Sequence, residues 1–344
     1  MSDRTIDYRS DLLARPTPEI KAAVLAALEA APAFELREDA RQRQLEARVA
    51  ELLGKEDSLF FPTCSMANEA ALALHCRPGD AVLAEAGTHV ITSEAGAPGG
   101  IAGAIVLGLP GDNGLPDPAA VAERIAAGAD PSRPRVAALA LENTHLRSGG
   151  RVLDAEASGA LAAVCREAGV AVHLDGARLF NAAVAAGKPL AELAGIADTV
   201  ALSLNKGLGA PFGAMLAGPR AAIAEALRVR HRLGGGFRPT AIPAAAALAA
   251  LASWDHIADD HRRARDLAAG LAVLPGLALA EVETNIVFVD LAEGAAPALV
   301  ETLATEGVRV LPYGPSRIRL VTHRGIDDEA VRRTLAAFAE VLGI

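Results

Sequence analysis

The run Thr199-Val200-Ala201-Leu202-Ser203-Leu204-Asn205-Lys206-Gly207-Leu208-Gly209-Ala210-Pro211-Phe212-Gly213 decides how this chain folds and where its chemistry lies. Residues 199–204 are apolar or small and read as a buried strand. Three glycines and a proline then make a turn in which backbone bends tightly and comes close to a ligand. An amine held at a strand end in apolar surroundings has its charged form disfavoured and its pKa lowered. That is the state in which a lysine attacks a carbonyl carbon to form a Schiff base. A lone lysine beside glycines also fits a surface loop, so the weight rests on the segments around it.

Working outward, the pattern alternates. Apolar runs at 58–61, 81–84, 104–107, 136–141 and 170–174 predict further strands, and helical stretches fall at 66–75, 118–127, 155–168 and 179–186. Alternation with continuous apolar strands predicts an α/β fold, a mostly parallel sheet flanked by helices on both faces. Ahead of it, helices are expected at 19–30 and 41–53, the second stopping at Gly54. After Gly234-Gly235-Gly236 the composition shifts, and an alanine-rich helix over 243–254 leads to a smaller C-terminal α+β domain. There, strands are expected at 284–290 and 317–322 and helices at 296–306 and 327–342. The chain thus divides into a large domain, residues 1–245, and a small one, residues 246–344, as its length of 344 favours.

Composition excludes several function classes. With 33 basic against 42 acidic residues the net charge is −9, which argues against nucleic acid or an anionic membrane as partner. Residues 241–251 are too short to span a bilayer and read as a buried helix. Residues 1–11 are charged and do not read as a signal peptide. Cys64, Cys76 and Cys165 have no metal-ligand spacing and read as reduced thiols in a cytoplasmic protein, with no metal site expected. Aromatics are only 3%, so small-residue packing must fill much of the core.

In such sheets ligands sit at the carboxyl ends of the strands. That gathers Asp175 and Arg178 after one strand, Glu142-Asn143-Thr144-His145 after another and Asn205-Lys206 after a third. Phe61-Pro62-Thr63-Cys64-Ser65-Met66-Ala67-Asn68 follows an early strand and opens a helix, a natural seat for a phosphate or a simple N-cap at Ser65. His173 reads as a buried strand residue, and His75, His231, His256 and His261 as structural or solvent-facing.

At these residues the chain resembles the low-specificity threonine aldolases, in the β-eliminating lyase group of pyridoxal phosphate enzymes of fold type I. The likeness rests on Arg9-Ser10-Asp11, the runs 61–68, 141–145, 173–181, 205–213, 234–238 and 319–323, in the family's order. It implies that Lys206 binds the aldehyde carbon of pyridoxal phosphate and that Asp175 pairs with its ring nitrogen. Ser65 and the backbone at Cys64 would hold the phosphate, with Arg238 reaching it from a neighbouring subunit, and His89 would stack on the ring. Ser10, Arg178 and Arg319 would bind the substrate's α-carboxylate, for which guanidinium geometry is suited, and His145 would sit near the β-hydroxyl. The activity implied is cleavage of a β-hydroxy-α-amino acid of the threonine type to glycine and an aldehyde, by a homodimer or homotetramer with shared sites; β-elimination or racemisation on the same cofactor is the alternative. The chain departs from the family at Cys64-Ser65, where a glycine-threonine pair is usual, at Asn205, and in the segments 34–39 and 146–150. The last two bring Arg37 and Arg147; turned inward, either would favour an acidic substrate such as β-hydroxyaspartate.

Overall fold

The computed structural model describes residues 5–344, so the N-terminal stretch 1–11 lies partly outside the described residues. Its main sheet has seven strands: β1 (Asp57–Phe61), β2 (Ala81–Glu85), β3 (Ile105–Leu109), β4 (Val136–Glu142), β5 (Ala171–Gly176), β6 (Thr199–Ser203) and β7 (Ala214–Gly218). Their spatial order is β1-β7-β6-β5-β4-β2-β3. Strands β4, β6 and β7 are buried along their whole length, as expected of a sheet covered on both faces.

Strand β7 was not expected from the sequence. It pairs antiparallel with both β6 and β1, so the sheet is mixed. Ala-Met-Leu-Ala-Gly has too little hydrophobic contrast to show a period and is defined by its pairing. With β6 it makes a hairpin whose loop carries Lys206. Leu204 N donates to Gly213 O at 3.0 Å, closing the loop. Gly213 has φ 118°, and a Cβ there would lie 2.6 Å from the Phe60 ring, so no other residue fits.

Side-chain caps open the helices that flank the start of the sheet: α1 (Pro18–Leu28) on Thr17, α2 (Ala40–Leu53) on Asp39 and α3 (Cys64–His75) on Thr63. The alanine helix spans Ala241–Leu251, ends earlier than expected and packs on α1 and α2. A separate helix, His256–Ala272, follows at a bend and was not expected. No single helix among the described residues is long and apolar enough to cross a membrane.

Near the C-terminus, β8 (Ala278–Leu279), β9 (Ile286–Asp290), β10 (Leu311–Pro312) and β11 (Arg317–Val321) form an antiparallel sheet in the order β8-β9-β11-β10. A core of its own, including Leu267, Leu271, Val287, Leu320 and Phe338, backs it. The N-terminal segment joins this part of the chain: Ile6–Asp7 pairs in parallel with Val308–Arg309, and the buried Tyr8 hydroxyl lies 3.0 Å from Thr334 Oγ1.

Candidate active site

Strands β1, β2, β4, β5 and β6 all point the same way, so their carboxyl ends meet at one edge. Asp175 closes β5 directly beside Glu142, which closes β4. Asp175 is buried; Ala177 N donates to Oδ1 at 2.9 Å and Asn68 Nδ2 to Oδ2 at 2.8 Å. Burial is the largest single influence and acts to raise its pKa. The charges of His89 and Lys206, with those two hydrogen bonds, outweigh it and hold the carboxyl below its ordinary range. Asp175 is therefore an anion in a buried place.

Cys64, the first residue of α3, brings its Sγ to 3.8 Å from Asp175 Oδ1. Burial and the Asp175 charge push this thiol well up, so it is a packed, protonated side chain rather than a nucleophile. Thr63 Oγ1 caps Met66 N, which leaves the first-turn amides of Cys64 and Ser65 pointing out of the helix. Lys206 is half-buried on the hairpin loop. The sequence predicted an apolar setting for it, and the setting is instead polar: its charge acts on Asp11, Asp175 and Cys64.

His89 opens a short helix just past β2; its backbone N donates to Glu142 Oε2 at 2.7 Å and its Nδ1 lies 2.9 Å from Glu94 Oε1. Burial pulls the imidazole pKa down, but Glu94, Asp175 and Glu142 together raise it above its usual value. His145 is buried against Gly114. Ser148 Oγ donates to the His145 carbonyl at 3.2 Å, which makes His145 Nδ1 the donor in its 2.9 Å contact with Ser148. Nε2 is then turned to Glu85 Oε2 at 3.2 Å, within ion-pair distance but without hydrogen-bond alignment. Glu142 Oε1 also accepts from Leu146 N at 3.0 Å, so one carboxylate anchors the backbone beside both histidines.

Arg178 and Asp11 form a buried two-bond pair, Nε to Oδ2 at 2.7 Å and Nη2 to Oδ1 at 2.8 Å. Ser10 adjoins it and caps the short turn Asp11–Leu13 through Leu12 N at 3.2 Å. Arg319, on β11, donates from Nη2 to Arg9 O at 2.9 Å, and its Nε is buried without a partner among the described residues. The N-terminal segment thus meets Arg178 and Arg319, and Arg178 feels the charges of Glu142 and Asp175 as well as that of Asp11.

Residues 7–294 match the family described as beta-eliminating lyase. Low-specificity L-threonine aldolase 1 of Arabidopsis thaliana is 36% identical over 352 residues, covering 98% of this chain and 97% of its own. The low specificity L-threonine aldolase of Escherichia coli O157:H7 is 36% identical, covering 96% and 97%. Among solved structures, a threonine aldolase of Leishmania major superposes with a TM-score of 0.85 over 98% of this chain and 99% of its own, at 21% identity. This chain belongs to the beta-eliminating lyase family.

Within that family's fold, Arg238 places its guanidinium 5.7 Å from the centre of the Phe34 ring. Arg37 does not face the site of this lyase. Glu46, Asp57 and the Ser58 carbonyl hold it at 2.8–3.3 Å, all at the opening end of β1. Arg147 is exposed at the mouth, stacked 5.4 Å from the Tyr313 ring centre; Arg319 lies 5.7 Å from the same centre. Sequence reasoning set Glu142 at the sheet edge and named Asn68 and Asp11 within matched runs without giving them roles, and it did not single out Glu94 or Tyr313. Asn68 had a usable signal, since it falls one helical turn after Cys64 and so on the same face. Glu94 sits in an irregular segment with no period to mark it.

Proposed function

We propose that this lyase uses pyridoxal 5'-phosphate to cleave β-hydroxy-α-amino acids of the threonine type to glycine and an aldehyde. The observation that carries this is the convergence of Asp175, Lys206, His89 and the first turn of α3 at one sheet edge, in a chain that shares more than a third of its residues with named threonine aldolases.

The residues fit the cofactor. Cys64 and Ser65 offer outward amides at a helix start for a phosphate. Asp175 is an ionised buried carboxylate suited to a protonated ring nitrogen, and Lys206 is an amine within electrostatic reach of it. Bound there, pyridoxal phosphate supplies an aldehyde for the substrate amine and an electron sink for the pair left at Cα.

The chain's own residues do the rest. Asp175 holds a positive charge against itself, and His89 covers the same pocket from β2. Arg319, Ser10 and Arg178 bind the α-carboxylate and so fix which bond at Cα is aligned to break. Asp11 already occupies two donors of Arg178, so Arg319 carries most of that contact and Arg178 supports it. His145, held through Nδ1 by Ser148, assists loss of the β-hydroxyl proton through a water as the aldehyde leaves, with the Glu85 carboxylate beside Nε2 to balance the imidazole's charge. Lys206 Nζ returns a proton to Cα.

Assembly as a homodimer or homotetramer, with Arg238 given to the neighbour's phosphate, is supported by apolar side chains left bare beside it: Phe34 is 81% exposed and Phe212 40%. Three free thiols support a cytoplasmic location.

Incubation of the holoenzyme with L-threonine and L-allo-threonine, with glycine and acetaldehyde measured separately, tests the reaction. Equimolar glycine and acetaldehyde are expected; 2-oxobutyrate and ammonia instead would establish elimination. Lys206→Ala protein is expected to lose the visible band that borohydride bleaches in the wild type. Asp175→Asn is expected to lower turnover by orders of magnitude while remaining folded.

A further inference from the structure

Behind the pocket lies a pair of acids that the reaction above leaves unused. Glu69, in the second turn of α3, and Glu94, just beyond His89, are 2% and 5% exposed. Glu94 stands beside Glu69, its carboxyl group close enough to act directly on that of Glu69. Both Glu69 oxygens and Glu94 Oε2 are buried and receive no hydrogen bond from any other group among the described residues. Ionised carboxylates are acceptors only, so a bond between two of them requires a proton. Two like charges in contact in a buried place do not both persist.

The remaining Glu94 oxygen shows where that proton resides. Oε1 accepts from Asn68 Nδ2 at 2.9 Å and meets His89 Nδ1 at 2.9 Å. Glu94, held by two donors, is the anion, and Glu69, with none, keeps the proton. The orientation of Asn68 is fixed independently. Its Nδ2 faces two carboxylates, Glu94 and Asp175, and its Oδ1 meets His173 Nε2 at 3.1 Å. His173 Nδ1 in turn meets Thr199 Oγ1 at 3.0 Å, so Asn68 cannot turn over without breaking the chain behind it.

We propose that Glu69 and Glu94 share one proton, carried on Glu69, and that the pair is a positioning device. It keeps Glu94 a charged, oriented acceptor, which fixes the His89 ring and aims Asn68 at Asp175. The charge of Glu94 acts on Glu69, His89 and Cys64; Asp175 and Glu142 act on His89 from β5 and β4, and Lys206 acts on Asp175 from the hairpin. Burial and the neighbouring Glu94 raise the Glu69 pKa far above the carboxyl range, in keeping with a proton retained at neutral pH. The proton itself follows from the protein alone, while its bearing on the cofactor rests on the function proposed above.

Infrared difference spectroscopy on the holoenzyme separates these two parts. At neutral pH, wild type minus Glu69→Gln is expected to show one protonated-carboxyl carbonyl band. Glu142 and Asp260, whose pKa values are also raised, contribute equally to both proteins and cancel. Glu69→Gln keeps a neutral donor to Glu94 and is expected to hold wild-type cofactor affinity; the wild type is expected to show an alkaline step in the pH titration of the visible band as Glu69 loses its proton, and Glu69→Gln to lack it. Glu69→Leu removes the donor and is expected to bind pyridoxal phosphate about tenfold more weakly or worse. Absence of the carbonyl band from the difference spectrum overturns the shared proton, whatever amino acid the enzyme cleaves. A band that is present, with Glu69→Leu matching Glu69→Gln in affinity and titration, overturns the positioning role.

Discussion

The Asp11 carboxylate clasps the Arg178 guanidinium through two bonds, 2.7 and 2.8 Å long, with both side chains out of solvent. The pair ties the N-terminal segment to the end of β5, some 167 residues away in sequence. Burial acts to raise the Asp11 pKa, but the Arg178 charge and hydrogen bonds, aided by Lys206 and Asn285, drive it far below the carboxyl range.

Removing the acid leaves a buried guanidinium without its partner. Asp11→Ala is expected to destabilise the protein by about 3–5 kcal/mol in urea unfolding. Because the folded pKa is depressed, the Asp11 contribution is fully present above its unfolded value of about 3.9 and is lost as pH falls through the folded one. Asp11→Asn should therefore flatten the acid limb of the stability curve below about pH 4. An acid limb of wild-type steepness would show that the ion pair does not govern it.

Arg37 and Arg147 are expected to separate cleanly. Arg37→Ala deprives the buried Glu46 of a charged partner and should cost about 1–3 kcal/mol of stability with kcat/KM unchanged. Arg147→Ala should leave stability within about 0.5 kcal/mol, being exposed. It stands across Tyr313 from Arg319, so its loss should raise KM more than it lowers kcat. The ratio of kcat/KM for β-hydroxyaspartate and threonine, measured in both variants, identifies whether Arg147 reads the substrate's side chain.

Asp260 is a buried acid on the His256–Ala272 helix whose Oδ1 has no hydrogen-bond partner among the described residues. Burial raises its pKa to about 7, against the opposing charge of Arg263. The folded state favours the protonated form, so the contribution is fully present below the unfolded pKa of about 3.9 and is lost as pH rises through 7. Asp260→Asn should remove this loss and make the variant more stable relative to wild type at pH 8 than at pH 5. Equal differences at both pH values would refute the assignment.

If Arg238 serves the neighbouring subunit, inactive Lys206→Ala and inactive Arg238→Ala proteins should regain activity when mixed under conditions of subunit exchange. Roughly a quarter of the sites in random mixed dimers then carry both wild-type residues. Recovery is read against each parent alone, and none would place Arg238 within its own subunit's site or outside any site.

The strand–helix alternation was legible because β4 and β6 are continuous apolar runs closed by polar residues, whereas the cap of α3, offered to Ser65 by the sequence, falls to Thr63. Lys206, Asp175 and the start of α3 stood out for the same reason: each lies where a clear pattern ends. What escaped has no local pattern. Strand β7 is short and alanine-rich, and the partners of Arg178, Arg37 and His89 are carboxylates chosen by three-dimensional packing. Arg37 illustrates the limit. Its segment differs from the family's, yet only its contacts with Glu46 and Asp57 show that the difference supports the far end of β1.

The pairing of Ile6–Asp7 with Val308–Arg309, together with the bond from Arg319 to Arg9 O, gives the enzyme an order of assembly during synthesis. On the proposed assignments, every residue that meets the cofactor within its own subunit lies between 64 and 206, on one sheet backed by local hairpin and helix contacts. The carboxylate-binding residues instead require the first and last portions of the chain to meet. A ribosome-bound chain is thus expected to capture pyridoxal phosphate before it can recognise an amino acid. Fluorescence of the bound cofactor on stalled chains of increasing length would time the two events separately.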